Sequence, residues 1–158
     1  MKATTIINTP LGPTEISGNE EGICSIHILD HAKPQNHNTP EILIPAVDQL
    51  TAYFNGDLKA FNLILNPEGT PFQKKVWNAL AKIPFGNTMS YLDLSKILGD
   101  VKAIRAVAAA NGKNPLWIVV PCHRVIGSDG SLTGYAGGVW RKKWLLEHEN
   151  PPAQQSLF

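Results

Sequence analysis

Ser90-Tyr91-Leu92-Asp93-Leu94-Ser95-Lys96-Ile97-Leu98-Gly99-Asp100-Val101-Lys102-Ala103-Ile104-Arg105-Ala106-Val107-Ala108-Ala109-Ala110-Asn111-Gly112 carries the punctuation of two short helices. Ser90 can cap a helix that runs to Gly99, and Asp100 a second one from about Val101 to Ala110, with Asn111-Gly112 as its stop. Two short helices joined at a glycine turn read as a helix-turn-helix. A recognition helix normally offers long polar side chains to base edges, and this one does not. Ile104, Val107 and Ala108 are expected to face the core, leaving Ala103, Ala106 and Ala110 on a face where only methyl groups separate backbone from partner. Such a face permits close approach and reads little sequence; taken alone, an alanine stripe equally suits packing against a neighbouring helix. Arg105, near the middle, is placed to reach a phosphate or insert into a base stack.

Working outward, Thr70 and Gln73 have capping-box spacing, Pro71 suits the first helical position, and Phe72, Val76, Trp77 and Leu80 form the apolar stripe of a helix ending before Pro84. Downstream, residues 118–120 read as a strand leading into Pro121-Cys122-His123-Arg124. A glycine-rich loop over 127–138 and a last helix over 139–149 follow. Residues 1–40 differ: Thr9-Pro10-Leu11-Gly12-Pro13, Ser17-Gly18-Asn19 and Lys33-Pro34-Gln35-Asn36 separate short runs such as 4–7 and 23–29, the pattern of a small antiparallel sheet. Residues 45–54 suit a short helix closed by Asn55-Gly56, and 61–65 a further strand. The expected chain is α+β, with a sheet domain over 1–68, a helical domain over 69–150 and a tail over 151–158.

With 158 residues, 43% of them apolar, the chain can bury the core of one medium domain or two small ones. It shows no leader with a cleavage site and no apolar run near the ~20 residues that cross a bilayer, so a soluble, cytoplasmic protein without membrane partners is expected. Cys24 and Cys122 are read as free thiols, since a reducing compartment and unequal surroundings argue against pairing. The net charge of +1 hides a division: residues 1–70 hold 3 Lys/Arg against 8 Asp/Glu, whereas residues 71–150 hold 11 against 5. Only the second half has the electrostatics of a polyanion-binding surface, although charge alone also fits a solvated basic face.

Cys122 follows an apolar run and a rigid proline and precedes two cationic side chains, which favour the nucleophilic thiolate. Neighbours in an extended chain point to opposite faces, so His123 reaches Cys122 only if the chain turns there or a water intervenes. A helping base must itself be oriented, commonly by a carboxylate, and Glu149 and Asp129 are the candidates. The alternative is a buried structural cysteine beside a surface histidine. Sequence-independent docking plus a nucleophile points to chemistry on a base, which must then leave the stack. Tyr91, Arg105 and Asn114 are placed to push or hold the nucleotide. Tyr135 and Ala136-Gly137-Gly138 shape a pocket with room for a planar ring.

Residues 69–149 resemble the C-terminal domain of the O6-alkylguanine-DNA alkyltransferases, also called methylated-DNA–protein-cysteine methyltransferases. The motifs are Gly69-Thr70-Pro71-Phe72-Gln73, Ser90-Tyr91, Arg105-Ala106-Val107, Asn111-Gly112, Asn114-Pro115, Pro121-Cys122-His123-Arg124-Val125, Gly134-Tyr135-Ala136-Gly137-Gly138 and Trp144-Leu145-Leu146-Glu147-His148-Glu149. The first half resembles the family more loosely, around Tyr53-Phe54-Asn55-Gly56-Asp57. The resemblance implies a ribonuclease-H-like sheet domain and a winged-helix domain that docks its second helix in the minor groove of double-stranded DNA. It implies that Cys122 accepts the alkyl group once, from O6-alkylguanine, with O4-alkylthymine as a second candidate substrate, with His123 its water-linked base, Glu149 the carboxylate holding that histidine, and Asn114 the hinge partner of the active-site turn. It further implies that Arg105 replaces the extruded base, that Tyr91 disturbs the 3′ phosphate and protonates the leaving guanine, and that Tyr135 with backbone near Val125 and Ala136 recognises the base. Arg124 joins the DNA-facing set, and Gly137 the pocket.

Two departures stand out. Trp117 occupies a place where many relatives carry a second proline, and a ring at the pocket mouth would narrow tolerance for larger alkyl groups. Cys24 is the only cysteine of the first half; with His27 and His31 it reads as strand packing and surface, so no metal and no other cofactor are expected. The tail Gln154-Gln155-Ser156-Leu157-Phe158 resembles peptides that bind the replication sliding clamp, with a frayed terminus as the alternative. A monomer is expected. The rival functions are a non-catalytic lesion-binding relative, which would lack the acceptor cysteine, and a cysteine hydrolase, which would turn over.

Overall fold

The computed structural model describes residues 2–31, 38–132 and 134–151, so the turn expected at 33–36 and the tail motif at 154–158 lie outside the described residues. The chain divides into two units: Met1–Gly69 with Pro115–Val119, and Thr70–Asn114 with Val120–Phe158. The first unit's main stretch ends at Gly69, and the second unit is interrupted, because residues 115–119, shortly before the Pro121-Cys122 segment, pack with the first unit.

In the first unit β1 (Ala3–Thr9), β2 (Gly12–Asn19) and β3 (Gly22–Ile28) form an antiparallel sheet in that order. Two-residue connections set the register, pairing Thr9 with Gly12 and Asn19 with Gly22. Only glycine fits at 22: φ is +140°, and a Cβ would lie 2.7 Å from the Ile64 carbonyl oxygen. Helix α1 (Ile44–Phe54) buries Ala46, Leu50 and Tyr53, the stripe its periodicity predicts. The strand expected over 61–65 is not formed. Ile23 makes one parallel bridge to Leu65, donating to Ile64 O at 2.8 Å and accepting from Asn66 N at 2.8 Å. Farther along the same edge of β3, Ile26 is taken by a second bridge, to Leu116. An edge shared between two short segments leaves neither room to become a full strand.

The second unit begins with α2 (Pro71–Leu80), whose capping box is complete: Gln73 N donates to Thr70 Oγ1 at 3.1 Å and Thr70 N to Gln73 Oε1 at 3.0 Å. It continues through β4 (Met89–Ser90), α3 (Tyr91–Ile97), a 3-10 turn (Val101–Ala103), α4 (Ile104–Gly112), β5 (Val125–Ile126) and α5 (Val139–Glu149). Ser90 caps α3 by accepting from Asp93 N, Asp100 caps the 3-10 turn by accepting from Lys102 N, and Gly99 supplies the positive φ between them. Helices α3 and α4 thus form the expected helix-turn-helix. Trp77 ties α2 to α4, its indole N–H donating to Ala110 O at 2.8 Å.

Two expectations are corrected here. Residues 118–120 turn where a strand was expected: Val119 N donates back to Trp117 O at 2.8 Å around Ile118, which has φ 75°. On α4, Ala110 is buried beside Val107, whereas Ala108 is exposed. Residues 103, 107 and 110 follow the inward stripe set by Val107 and by the Trp77 bond, so the open face consists of Arg105, Ala106, Ala108 and Ala109, with Ala103 half-buried at its edge.

Candidate active site

A 3-10 turn over Cys122–Arg124 gives consecutive side chains the fan of directions that an extended chain denies them. All three are buried. The turn is fixed at its entry, where Val120 O accepts from Cys122 N at 2.8 Å and from Asn114 Nδ2 at 2.7 Å. It is fixed at its exit by the parallel pairing of Val125 with Met89 and Ile126 with Ser90, which also sets the start of α3, and so Tyr91, beside the reactive segment. Asn111 Nδ2 donates to Cys122 O at 3.5 Å.

His123 pairs with Glu149, Nε2 to Oε2, at 2.7 Å. The carboxylate only accepts, so in the neutral ring Nε2 carries the proton and Nδ1 the lone pair. Burial lowers the His123 pKa against the raising effect of Glu149, so the ring is neutral at rest. Arg124 grips the same carboxylate in a fork, Nε to Oε1 at 2.7 Å and Nη2 to Oε2 at 2.9 Å, while its Nη1 donates to Ile83 O at 2.6 Å. Arg124 is therefore corrected: expected at the DNA surface, it is buried behind His123, where it holds Glu149. The other carboxylate candidate, Asp129, accepts from Ser131 N in its own loop.

Burial pushes the Cys122 thiol up to about 11, opposed by a hydrogen bond with Asn114 and the charge of Lys142. At pH 7 roughly one thiol in ten thousand would then be ionised. This is a protonated resting nucleophile that needs a base. Lys142, fully buried, has its own pKa lowered by burial, with Cys122 opposing. Its Nζ lies 5.7 Å from the Tyr91 ring centre. Sequence reasoning missed it, although residues 142, 145 and 149 share one face of α5 with the buried Leu145.

Tyr135 is buried, and burial followed by the Cys122 charge pushes its phenol well up, keeping it protonated. Gly137 is buried, its carbonyl accepting from Arg141 Nη1 at 3.1 Å; Ala136 is exposed and Val125 buried. Arg105 and Ala106 are exposed on α4. Trp117 alone of the expected pocket residues is grouped with the first unit, its ring edge-on to His27 at 5.6 Å. Cys24 is half-buried, and among the described residues no three His, Cys, Asp or Glu side chains cluster as metal ligands.

A helix-turn-helix with a bare alanine face, carried on the same unit as a buried thiol and a His-carboxylate pair, defines a nucleic-acid-docking protein that keeps a protein nucleophile. Residues 71–151 match the DNA-binding domain of 6-O-methylguanine DNA methyltransferase, and residues 2–67 match its ribonuclease-like domain. The methylated-DNA–protein-cysteine methyltransferase of Methanosarcina acetivorans is 47% identical over 149 residues, covering 91% of this chain and 96% of the relative. The crystal structure of Mycobacterium tuberculosis O6-methylguanine methyltransferase superposes with TM-score 0.83 at 44% identity, covering 100% of this chain and 99% of that one. Mycobacterium tuberculosis OGT in complex with DNA gives TM-score 0.83 at 45% identity over 92% of each chain. The chain belongs to the 6-O-methylguanine DNA methyltransferase family. Among the described residues no helix is long and apolar enough to cross a membrane.

Proposed function

We propose that the protein repairs DNA by moving the alkyl group of O6-alkylguanine onto Cys122, in one irreversible event per molecule. The observation that carries this reading is the Cys122–Arg124 turn, which puts a buried thiol next in chain to a histidine whose tautomer is set by Glu149. The exposed face of α4 docks in the minor groove, with Arg105 taking the place of the extruded base. Tyr135, Gly137 and the backbone near Val125 and Ala136 form the base pocket.

The Cys122 proton passes through a water to His123 Nδ1, and the resulting imidazolium is stabilised by Glu149. Lys142 offsets part of the cost of the buried thiolate. Sulfur then attacks the alkyl carbon in line: an S–C bond forms, the C–O6 bond breaks, and the electron pair leaves with guanine, which takes a proton from Tyr91. The thioether product has no leaving group at neutral pH, so each molecule acts once; the acting form is a monomer.

Intact-mass measurement with excess O6-methylguanine DNA tests this. One added methyl on Cys122, with repair stopping at one equivalent, is expected. Continued turnover would indicate a hydrolase, and an unchanged mass a lesion-binding protein; either would overturn the reading.

A further inference from the structure

Residues 115–119 leave the second unit and return to it immediately before Cys122. The neck of this excursion is closed by Asn114 Nδ2 donating to Val120 O at 2.7 Å. The path between is tightly bent. Ile118 is β-branched and fully buried, yet sits at φ 75° in a γ-turn closed from Val119 N to Trp117 O, a conformation that persists only when the surroundings over-determine it. A second i to i+2 turn, of the common negative-φ kind, follows at Pro121 (φ −83°, ψ 66°) and delivers the Cys122 N–H to Val120 O.

What holds the strained turn lies in the first unit. Ile26 N donates to Pro115 O at 2.8 Å, Trp117 N donates to Ile26 O at 3.2 Å, and the Trp117 ring packs edge-on against His27, the residue after Ile26. A proline at 117 would have no N–H to give Ile26; here that bond and the ring make a clasp on β3.

We infer that Trp117 is a positioning residue for Cys122, acting through the backbone of residues 118–121 by clasping the excursion to β3. The inference rests on the reading of Cys122 as the alkyl acceptor. Releasing the clasp lets the turn at Ile118 relax, which loosens Val120 O and with it the bond that orients the Cys122 backbone.

The test compares Trp117→Gly, Trp117→Phe and His27→Ala with the native protein. Single-turnover transfer rates are measured on O6-methylguanine and O6-benzylguanine DNA, alongside DNA affinity and melting temperature. Trp117→Gly is expected to slow both transfers by the same factor, roughly tenfold or more, with DNA affinity within about twofold, because a small misplacement of a nucleophile costs rate without costing binding. Both Trp117 variants keep the main-chain bond to Ile26, and Trp117→Phe, which also keeps a ring against His27, is expected to restore the rate. His27→Ala, which removes only the ring's neighbour, is expected to fall between. A native methyl-transfer rate in Trp117→Gly with a raised benzyl-to-methyl ratio would show a gate in place of a positioning residue and overturn the inference. A native rate per folded molecule in both Trp117→Gly and His27→Ala would reduce Trp117 to a stability role and overturn it equally. Should Trp117→Gly not fold, the His27→Ala rate decides alone. Absence of any alkyl transfer by the native protein would instead fault the reading of Cys122 itself.

Discussion

The two units bury different kinds of polar side chain. Among the described residues the first unit buries only hydroxyls: Thr5, Thr14 and Ser17. The second buries Ser95, Asn111 and Asn114 and, beyond these, His123, Arg124, Arg141, Lys142 and Glu149. A hydroxyl in a sheet can find a neighbour at little cost, as Ser17 does with Thr4 at 3.0 Å and Thr14 with Gly12 O at 3.2 Å, while the Thr5 hydroxyl is buried without one. A buried charge costs several kcal/mol unless it is paired and hydrogen-bonded, and apolar residues of similar volume would often serve stability as well or better. The first unit is therefore composed as a scaffold. The second departs from that composition around Cys122, where the charges set proton positions.

The sharpest way to break this contrast is Cys122→Ala, which should abolish any alkyl adduct by intact mass while DNA binding by gel shift persists. Loss of Glu149 comes next. Glu149→Ala strands Arg124 as an uncompensated buried charge and should cost about 3–5 kcal/mol in denaturant unfolding. Glu149→Gln, closer in shape, should slow transfer about 100-fold by weakening the orientation and charging of His123.

The pH dependence sharpens the same point. The His123 pKa is depressed in the folded state, so the neutral ring persists down through its ordinary value of 6.5. The stability tied to it is present above that pH and lost as pH falls through the folded value. Transfer should accordingly stay level near neutrality and drop only on the acid side of 6.5 in rapid-quench assays. Cys122 has the opposite sign. Its folded value is raised from 9.0 to about 11, so the unfolded thiol ionises first and stability falls as pH climbs across that window, by about 2–3 kcal/mol. Cys122→Ala should remove that alkaline loss.

Smaller effects close the series. Arg105→Ala should slow repair of duplex substrate about tenfold and spare a single-stranded one, where no base needs extruding. Ser17→Ala in the first unit should cost less than about 1 kcal/mol and leave transfer untouched.

Most elements could be read in advance because their signals are local. Capping residues at 70, 90 and 100, the stripe at 46, 50 and 53, and the turn formers between β1, β2 and β3 each act within a few residues. The misreadings share one cause, which is that a distant partner decided the outcome. The apolar runs at 61–65 and 118–120 look like strands, but the edge of β3 divides itself between two bridges, and Ile118 bends back on Trp117. Ala110 looks outward-facing from the α4 sequence alone, because what turns it inward is the indole of Trp77, 33 residues earlier. Arg124 beside Cys122 looked like a surface cation; its fork to Glu149 spans 25 residues. Lys142 is legible from its spacing to Leu145 and Glu149, but it stands inside a run of three cations that looks like a solvated patch.

The edge of β3 has a bearing on how this protein can be divided. The stretches that match the two family domains abut near residue 70, so the sequence invites a cut there. A fragment ending at Gly69 would lack residues 115–119, leaving both backbone groups of Ile26 bare in the middle of an edge strand, an invitation to pair with another chain. Such a half-protein should be sticky by itself and should be rescued in trans by a peptide spanning residues 113–120. A recombination event that swapped either gene segment would have to bring along a matching five-residue insert from the other.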